Sequence, residues 1–226
     1  YFCVMKRSFL LIAIAFLLFS CFEKIEQKLN AVQPKKQHSL VLKYAKGFEV
    51  DYFDTHTKIR IKHPENGDLI QTIIVSDTSK IKPVSNSVFS SSTTHLAYID
   101  ALDENTSVTG FENKNYVYNA RYLKQFAEGK TIDFGYGEEV NLEKIVSNKP
   151  QAFFISGLLG KSPQYEKIEE MGIPLIEVVE WAEIHPLARA EWLKFFAEFF
   201  GVQSKAGNVF DEIEKNYLEL VEMTNS

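Results

Sequence analysis

The sequence predicts an α/β fold: a mostly parallel sheet with helices on both faces, a small antiparallel β segment ahead of it and a long helical connector behind it. Three patterns carry this expectation. Between Phe48 and Val75, apolar and polar residues alternate with period two. From Val84 to Val179, short apolar runs alternate with short helical stretches. From Leu187 onward, apolar residues recur at steps of three and four.

Composition narrows the class further. The 226 residues suit one domain or one lobe of a larger protein, and a chain that is 45% hydrophobic and 24% charged is neither disordered nor a polytopic membrane protein. A net charge of −5 with no basic block argues against a nucleic-acid partner. Cys3 and Cys21 are the only cysteines, which excludes a disulfide framework and a Cys-based metal site.

The N-terminus reads as an address. Met5-Lys6-Arg7 is a positive start, and Phe9 to Phe19 is an unbroken apolar run. It is shorter than the about 20 residues a membrane span needs, but suits a secretion signal. It ends in Leu18-Phe19-Ser20-Cys21, similar to a lipobox, in which a small residue precedes a Cys that becomes lipidated. Residues 5–20 are therefore expected to be a signal peptide, preceded by a non-native extension over 1–4. Residues 21–43 are expected to form the lipidated Cys21 and a polar tether containing Pro34. This places the protein in the periplasm or cell envelope, anchored to a membrane by lipid.

Residues 44–82 are expected to form the small β segment. Its strands are Phe48–Tyr52, Lys58–Lys62 and Leu69–Val75, the last reached through the turn Pro64-Glu65-Asn66-Gly67-Asp68. Residues 83–185 hold the strand–helix series. Strands are expected at Val88–Ser90, Ser107–Phe111, Lys130–Phe134, Gln151–Ile155 and Pro174–Val179. Helices are expected at His95–Leu102, Ala120–Glu128 (closed by Gly129), Leu142–Ser147 (stopped by Lys149-Pro150) and Pro163–Met171 (capped by Gly172). Residues 186–226 then read as a nearly continuous helical rod. Leu187, Trp192, Phe195, Phe196, Phe199 and Phe200 form its first apolar face, and after Gly201 the face continues through Val209, Ile213, Tyr217, Leu220 and Val221.

Chemical motifs are sparse. The loop Ser90-Ser91-Ser92-Thr93-Thr94-His95 runs from a strand into a helix, where hydroxyls cap free N–H groups and can present donors to an anionic ligand. A triad of Ser92, His95 and Asp100 lacks the Gly-x-Ser-x-Gly elbow, and residues so close on one helix do not converge. No catalytic residue is assigned, and the chain reads as a non-enzyme. No pair of histidines has metal-ligand spacing, and Gly135-Tyr136-Gly137 lacks the third glycine of a phosphate cradle. Tyr116, Tyr118, Tyr136 and Trp181 fall near strand ends, where aromatics can stack on a large planar or macrocyclic ligand or serve as half-buried structural residues.

Five strings taken together resemble one family. They are Ser92-Thr93-Thr94-His95-Leu96-Ala97-Tyr98-Ile99-Asp100-Ala101-Leu102, Gly135-Tyr136-Gly137, Asn141-Leu142-Glu143-Lys144-Ile145, Lys149-Pro150 and Pro186-Leu187-Ala188-Arg189-Ala190-Glu191-Trp192. In order and spacing they are similar to the substrate-binding lipoproteins of ABC importers for ferric siderophores and cobalamin, whose two lobes are joined by one long helix. The resemblance runs from about Tyr44 to the end of the chain.

It implies a Rossmann-like N-terminal lobe of a periplasmic-binding-protein fold, with residues 186–226 as the inter-lobe helix and the second lobe absent. It implies ligand contacts from Ser92, Thr93, Thr94 and His95, with Tyr136 near a stacking position. Trp181 and Arg189 are implied as cleft residues, with Glu180 and Glu183 as further candidates. Glu143 matches a surface glutamate that docks on an ABC permease in the inner membrane. The ligand would be a ferric siderophore, cobalamin or haem, carried as cargo with no cofactor, by a monomer. Two rivals are a zinc- or manganese-binding receptor or metal-dependent protein using His95, His185 and a carboxylate, and a decayed receptor lobe acting as a structural or interaction lipoprotein.

Overall fold

The computed structural model describes residues 33–84, 87–102, 108–157 and 163–225. The expected signal peptide, Cys21 and the first part of the tether lie outside the described residues. Among those described, no helix is long and apolar enough to cross a membrane.

The first sheet has four antiparallel strands in chain order: β1 (Lys36–Ser39), β2 (Phe48–Phe53), β3 (Thr57–Lys62) and β4 (Leu69–Val75). Period-two alternation sends Val50, Ile59, Ile61, Ile73 and Val75 into the core. On the charged side, Arg60 lies 2.6 Å from Glu49 and 2.7 Å from Asp51, and Lys62 also pairs with Glu49. Burial alone would raise the Asp51 carboxyl. Lys36, Ser39 and Arg60 outweigh it and hold the group well below the usual carboxylate range.

β1 corrects the tether boundary. Lys36 to Ser39 was expected to be unstructured linker, yet it pairs antiparallel with Phe53 to Asp51. Lys36 and Ser39 both reach Asp51, at 2.5 and 2.7 Å. The folded body therefore already includes Lys36, ahead of residue 44. All four strand residues are exposed, so no apolar alternation announced the strand.

The second sheet has five strands, all parallel: β5 (Val88–Ser90), β6 (Val108–Phe111), β7 (Ile132–Asp133), β8 (Ala152–Ser156) and β9 (Leu175–Val178). Their order is β7-β6-β5-β8-β9. Helices α1 (Thr93–Leu102), α2 (Ala120–Ala127), α3 (Leu142–Asn148) and α4 (Pro163–Glu170) connect them. The central strands are buried on both faces, with Val88, Phe89, Ala152, Phe153 and Phe154 all at 0% exposure. One core holds Phe154 with Leu96 and Ile99 of α1, and the other holds Phe89, Phe134 and Phe153 with Ile145 of α3 and Ile168 of α4. Gly110 in β6 is required by packing: a Cβ there would sit 2.5 Å from the Phe89 ring.

Where the two sheets meet edge to edge, one side chain bridges them by hydrogen bonds. Gln71 of β4 donates to the Leu175 carbonyl (2.8 Å) and accepts from the Glu177 N–H (3.0 Å) of β9.

The C-terminal rod is not continuous. It consists of α5 (Pro186–Glu191), α6 (Leu193–Phe200) and α7 (Gln203–Asn225). At Trp192 the N–H bonds the Arg189 carbonyl, a tightened turn. Gly201 takes the left-handed conformation at φ 68° and caps α6 by donating to the Ala197 carbonyl. The chain changes direction there, so that α7 packs against α5 as well as α6. Apolar spacing alone continues across Gly201 and does not register the turn.

Candidate functional site

Strand order reverses between β5 and β8, and the crevice outside the carboxyl ends of such strands is where open α/β sheets hold ligands. A cleft of about 500 Å³ lies beside this point, built from the segments that follow β5, β6 and β7. Of the residues singled out from sequence, Ser92, Thr93, Tyr116, Tyr118 and Tyr136 all line it, with Ser91 and Glu112.

Each wall has a local cause. Ser92 accepts from the Thr94 N–H at 3.3 Å and donates its own N–H to Ser90 Oγ at 3.2 Å, which fixes the entry to α1. Ser91 Oγ accepts from the Ser156 N–H at 3.0 Å, tying this loop to β8. After β6, Asn113 sits at φ 63° and its side chain accepts from Asn115 N–H, making the turn that presents Tyr116. After β7, Gly135 at φ 92° passes so close to the Glu139 carbonyl that a Cβ would lie 2.3 Å from it. That turn presents Tyr136. Tyr116 and Tyr136 stand edge to face with ring centroids 6.2 Å apart. Tyr116, Tyr118 and Tyr136 are 56%, 86% and 60% exposed, so each leaves ring surface open to a partner.

The residue that sequence reasoning missed is Glu112. It lies in the cleft wall at 7% exposure. One carboxylate oxygen accepts from the Tyr165 hydroxyl at 2.9 Å and the other from the Gly137 N–H at 3.3 Å. Burial raises its carboxyl, with these two donors pulling the other way. Burial and the adjacent Glu112 push the Tyr165 phenol up, so Tyr165 serves as a neutral donor. The available signal was position: Glu112 directly follows the last residue of β6.

Four expected ligand contacts fall elsewhere. His95 is fully buried beneath the loop, because α1 begins at Thr93 and His95 shares its inward face with Ile99 and Leu102. Its Nδ1 lies 3.3 Å from Ser90 Oγ, and its Nε2 is 3.9 Å from Glu180 Oε2, with neither of those last two atoms hydrogen-bonded. Burial pushes the imidazole down to about 4, against the opposing charge of Glu180. Thr94 donates to Glu180 Oε1 at 2.5 Å instead of facing the cleft. Arg189 donates to the Glu183 carbonyl at 2.7 Å and does not line the cleft. Trp181, 41% exposed, also lies outside that wall. Glu183 accepts from the N–H groups of Lys46 and Gly47 and from the Trp192 indole, a structural role.

The metal set does not assemble. His185 caps α5 by accepting from the Leu187 N–H and stacks on Tyr44, whereas His95 is enclosed against Glu180. Among the described residues, no group of three His, Cys, Asp or Glu side chains is placed to hold a metal ion. Asp100 is engaged by Arg121 at 2.7 Å, so no triad forms with Ser92 and His95. Glu143 is exposed in the first turn of α3, outside the cleft.

No family model matches the chain. An uncharacterised lipoprotein of Methanocaldococcus jannaschii is 28% identical over 229 residues, a match covering 87% of this chain and 55% of the relative. An uncharacterised protein of the same organism is 23% identical over 177 residues, covering 74% and 53%. The chain thus spans about half the length of these curated relatives. Among solved structures, a petrobactin-binding protein from Bacillus subtilis superposes with a TM-score of 0.50 at 19% identity, over 72% of this chain and 52% of that one. That likeness establishes the fold, a Rossmann-like lobe of the periplasmic-binding-protein type, in agreement with the resemblance read from the sequence.

Proposed function

We propose that this chain is the ligand-binding lobe of an extracytoplasmic receptor, lipid-anchored at Cys21, which binds a metal chelate such as a ferric siderophore, cobalamin or haem and delivers it to an ABC permease. The observation that carries the reading is the cleft at the carboxyl ends of β5, β6 and β7, with hydroxyls on one wall and three open tyrosine rings on another. Such a wall offers donors for chelate oxygens and flat apolar surface for a large ligand. The fold of the petrobactin-binding protein supports the ligand class, and the lipoprotein name of the archaeal relative supports the anchor. The receptor chemistry is binding and release, with no covalent step.

Calorimetric titration of the full chain with ferrioxamine B, cyanocobalamin and haemin tests the reading. Saturable binding of one of them is expected, weakened roughly tenfold by Tyr136→Ala through loss of the stacking surface. No heat with any of the three would favour the structural or interaction lipoprotein instead.

Permease docking is assigned to Glu143. Its exposure at the start of α3 leaves the carboxylate open to a cationic partner surface. Glu143→Arg is expected to abolish chelate uptake in cells while leaving the titrated affinity unchanged. Normal uptake by that variant removes Glu143 from the docking surface.

A further inference from the structure

We propose that the cleft prefers a chelate carrying a positively charged group, an ammonium held against the rings of Tyr116 and Tyr136 with the Glu112 carboxylate as its counter-charge. This rests on the receptor reading above and specifies the ligand within it.

The argument begins with Glu112. A carboxylate at 7% exposure is costly unless an opposite charge or several donors answer it. Its two partners, the Tyr165 hydroxyl and the Gly137 N–H, are both neutral, and the contact to Gly137 is long at 3.3 Å. Among the described residues, no Lys, Arg or His lines the cleft. The charge therefore faces a ligand space with acceptor capacity to spare, since two oxygens offer about four lone-pair sites.

The aromatic rim supplies the second, independent observation. Tyr116 and Tyr136 meet edge to face at 6.2 Å, and both are more than half exposed. Ring faces are negative, so they attract an ammonium and give little to an anion. A triply anionic catecholate complex would meet Glu112 and these faces with repulsion at each. A chelate with an ammonium tail would place its oxygens toward the Ser92 and Thr93 end of the cleft and its charge toward Glu112.

The test is a titration of the full chain with ferrioxamine B, which has a free ammonium, with N-acetylated ferrioxamine B, in which an added acetyl group removes that charge, and with a ferric tris-catecholate. Cyanocobalamin and haemin complete the series. Ferrioxamine B is expected to bind roughly tenfold more tightly than its acetylated form. Glu112→Gln should bring the two together by weakening ferrioxamine B more than its acetylated form. Tyr116→Leu, a change at an exposed position, should likewise narrow the gap. Equal binding of the two ferrioxamines, tightest binding of the catecholate, or a gap unchanged in Glu112→Gln overturns the inference and leaves the receptor standing. Binding of cyanocobalamin or haemin alone does the same. No binding of any of the five overturns both.

Discussion

Glu191→Ala is expected to lower the unfolding free energy by about 3–5 kcal/mol, the range for removing one partner of a buried, hydrogen-bonded ion pair. Glu191 is fully buried on α5. Its carboxylate accepts from the backbone N–H groups of Lys43 (3.0 Å), Tyr44 (2.8 Å) and Ala45 (2.9 Å), and pairs with Lys194 at 2.7 Å. The substitution leaves those three amides without their acceptor and an ammonium at only 13% exposure without its counter-charge. It should also free residues 43–45 from the body of the protein, seen as faster hydrogen exchange at those amides. Urea unfolding at neutral pH measures the loss. A change under about 1 kcal/mol would show that Glu191 is dispensable. Burial would raise this carboxyl, yet Lys194 and the three N–H groups together lower it. A folded value below the unfolded one means the contribution is present above the unfolded value and is lost as pH falls through the folded one.

The buried imidazole predicts a second loss at low pH. His95 titrates near 6.5 when unfolded and at about 4 when folded, because burial disfavours the imidazolium. In that window the unfolded chain holds the extra proton. Stability therefore rises with pH between the two values, and falls as pH drops from about 6.5 toward about 4. The gap corresponds to about 3 kcal/mol. His95→Leu keeps most of the volume beside Phe196, removes the titrating group and retires the unbonded Nε2. The variant is expected to lose much less stability than the parent between neutral pH and pH near 4.5, measured by urea midpoints at each. Comparing the two proteins cancels the carboxylates that titrate nearby, including Glu112 and Glu198, both raised by burial. Parallel pH profiles would mean that His95 is not the group responsible.

The parts of the fold that were legible are those in which burial dictates composition. Strands β5, β8 and β9 lie inside two helical layers, so their residues are mostly apolar without alternation, and turn residues mark their ends. The tyrosine wall was legible because strand-end position alone places Tyr116 and Tyr136 at the carboxyl edge. What was not legible depends on contacts distant in sequence. The hydrogen bond from Tyr165 to Glu112 joins residues 53 positions apart, and neither residue carries a local motif. β1 is held by Asp51 and by backbone pairing rather than by apolar side chains. His95 was misplaced by a smaller margin. Starting α1 at Thr93 puts His95, Ile99 and Leu102 on one inward stripe, and a start two residues later had left the ring in the loop.

The Gln71 amide at the β9 edge bears on how this lobe behaves when many copies meet. An unsheltered strand edge is a template onto which a neighbouring chain can add, and successive additions grow fibres. In the parallel sheet, β7 offers only two residues for such growth. At the opposite margin Gln71 already occupies the Leu175 carbonyl and the Glu177 N–H, acting as a one-residue stand-in for a further strand. Both margins of the sheet are thereby blunted against edge-to-edge aggregation, by brevity on one side and by a single amide on the other.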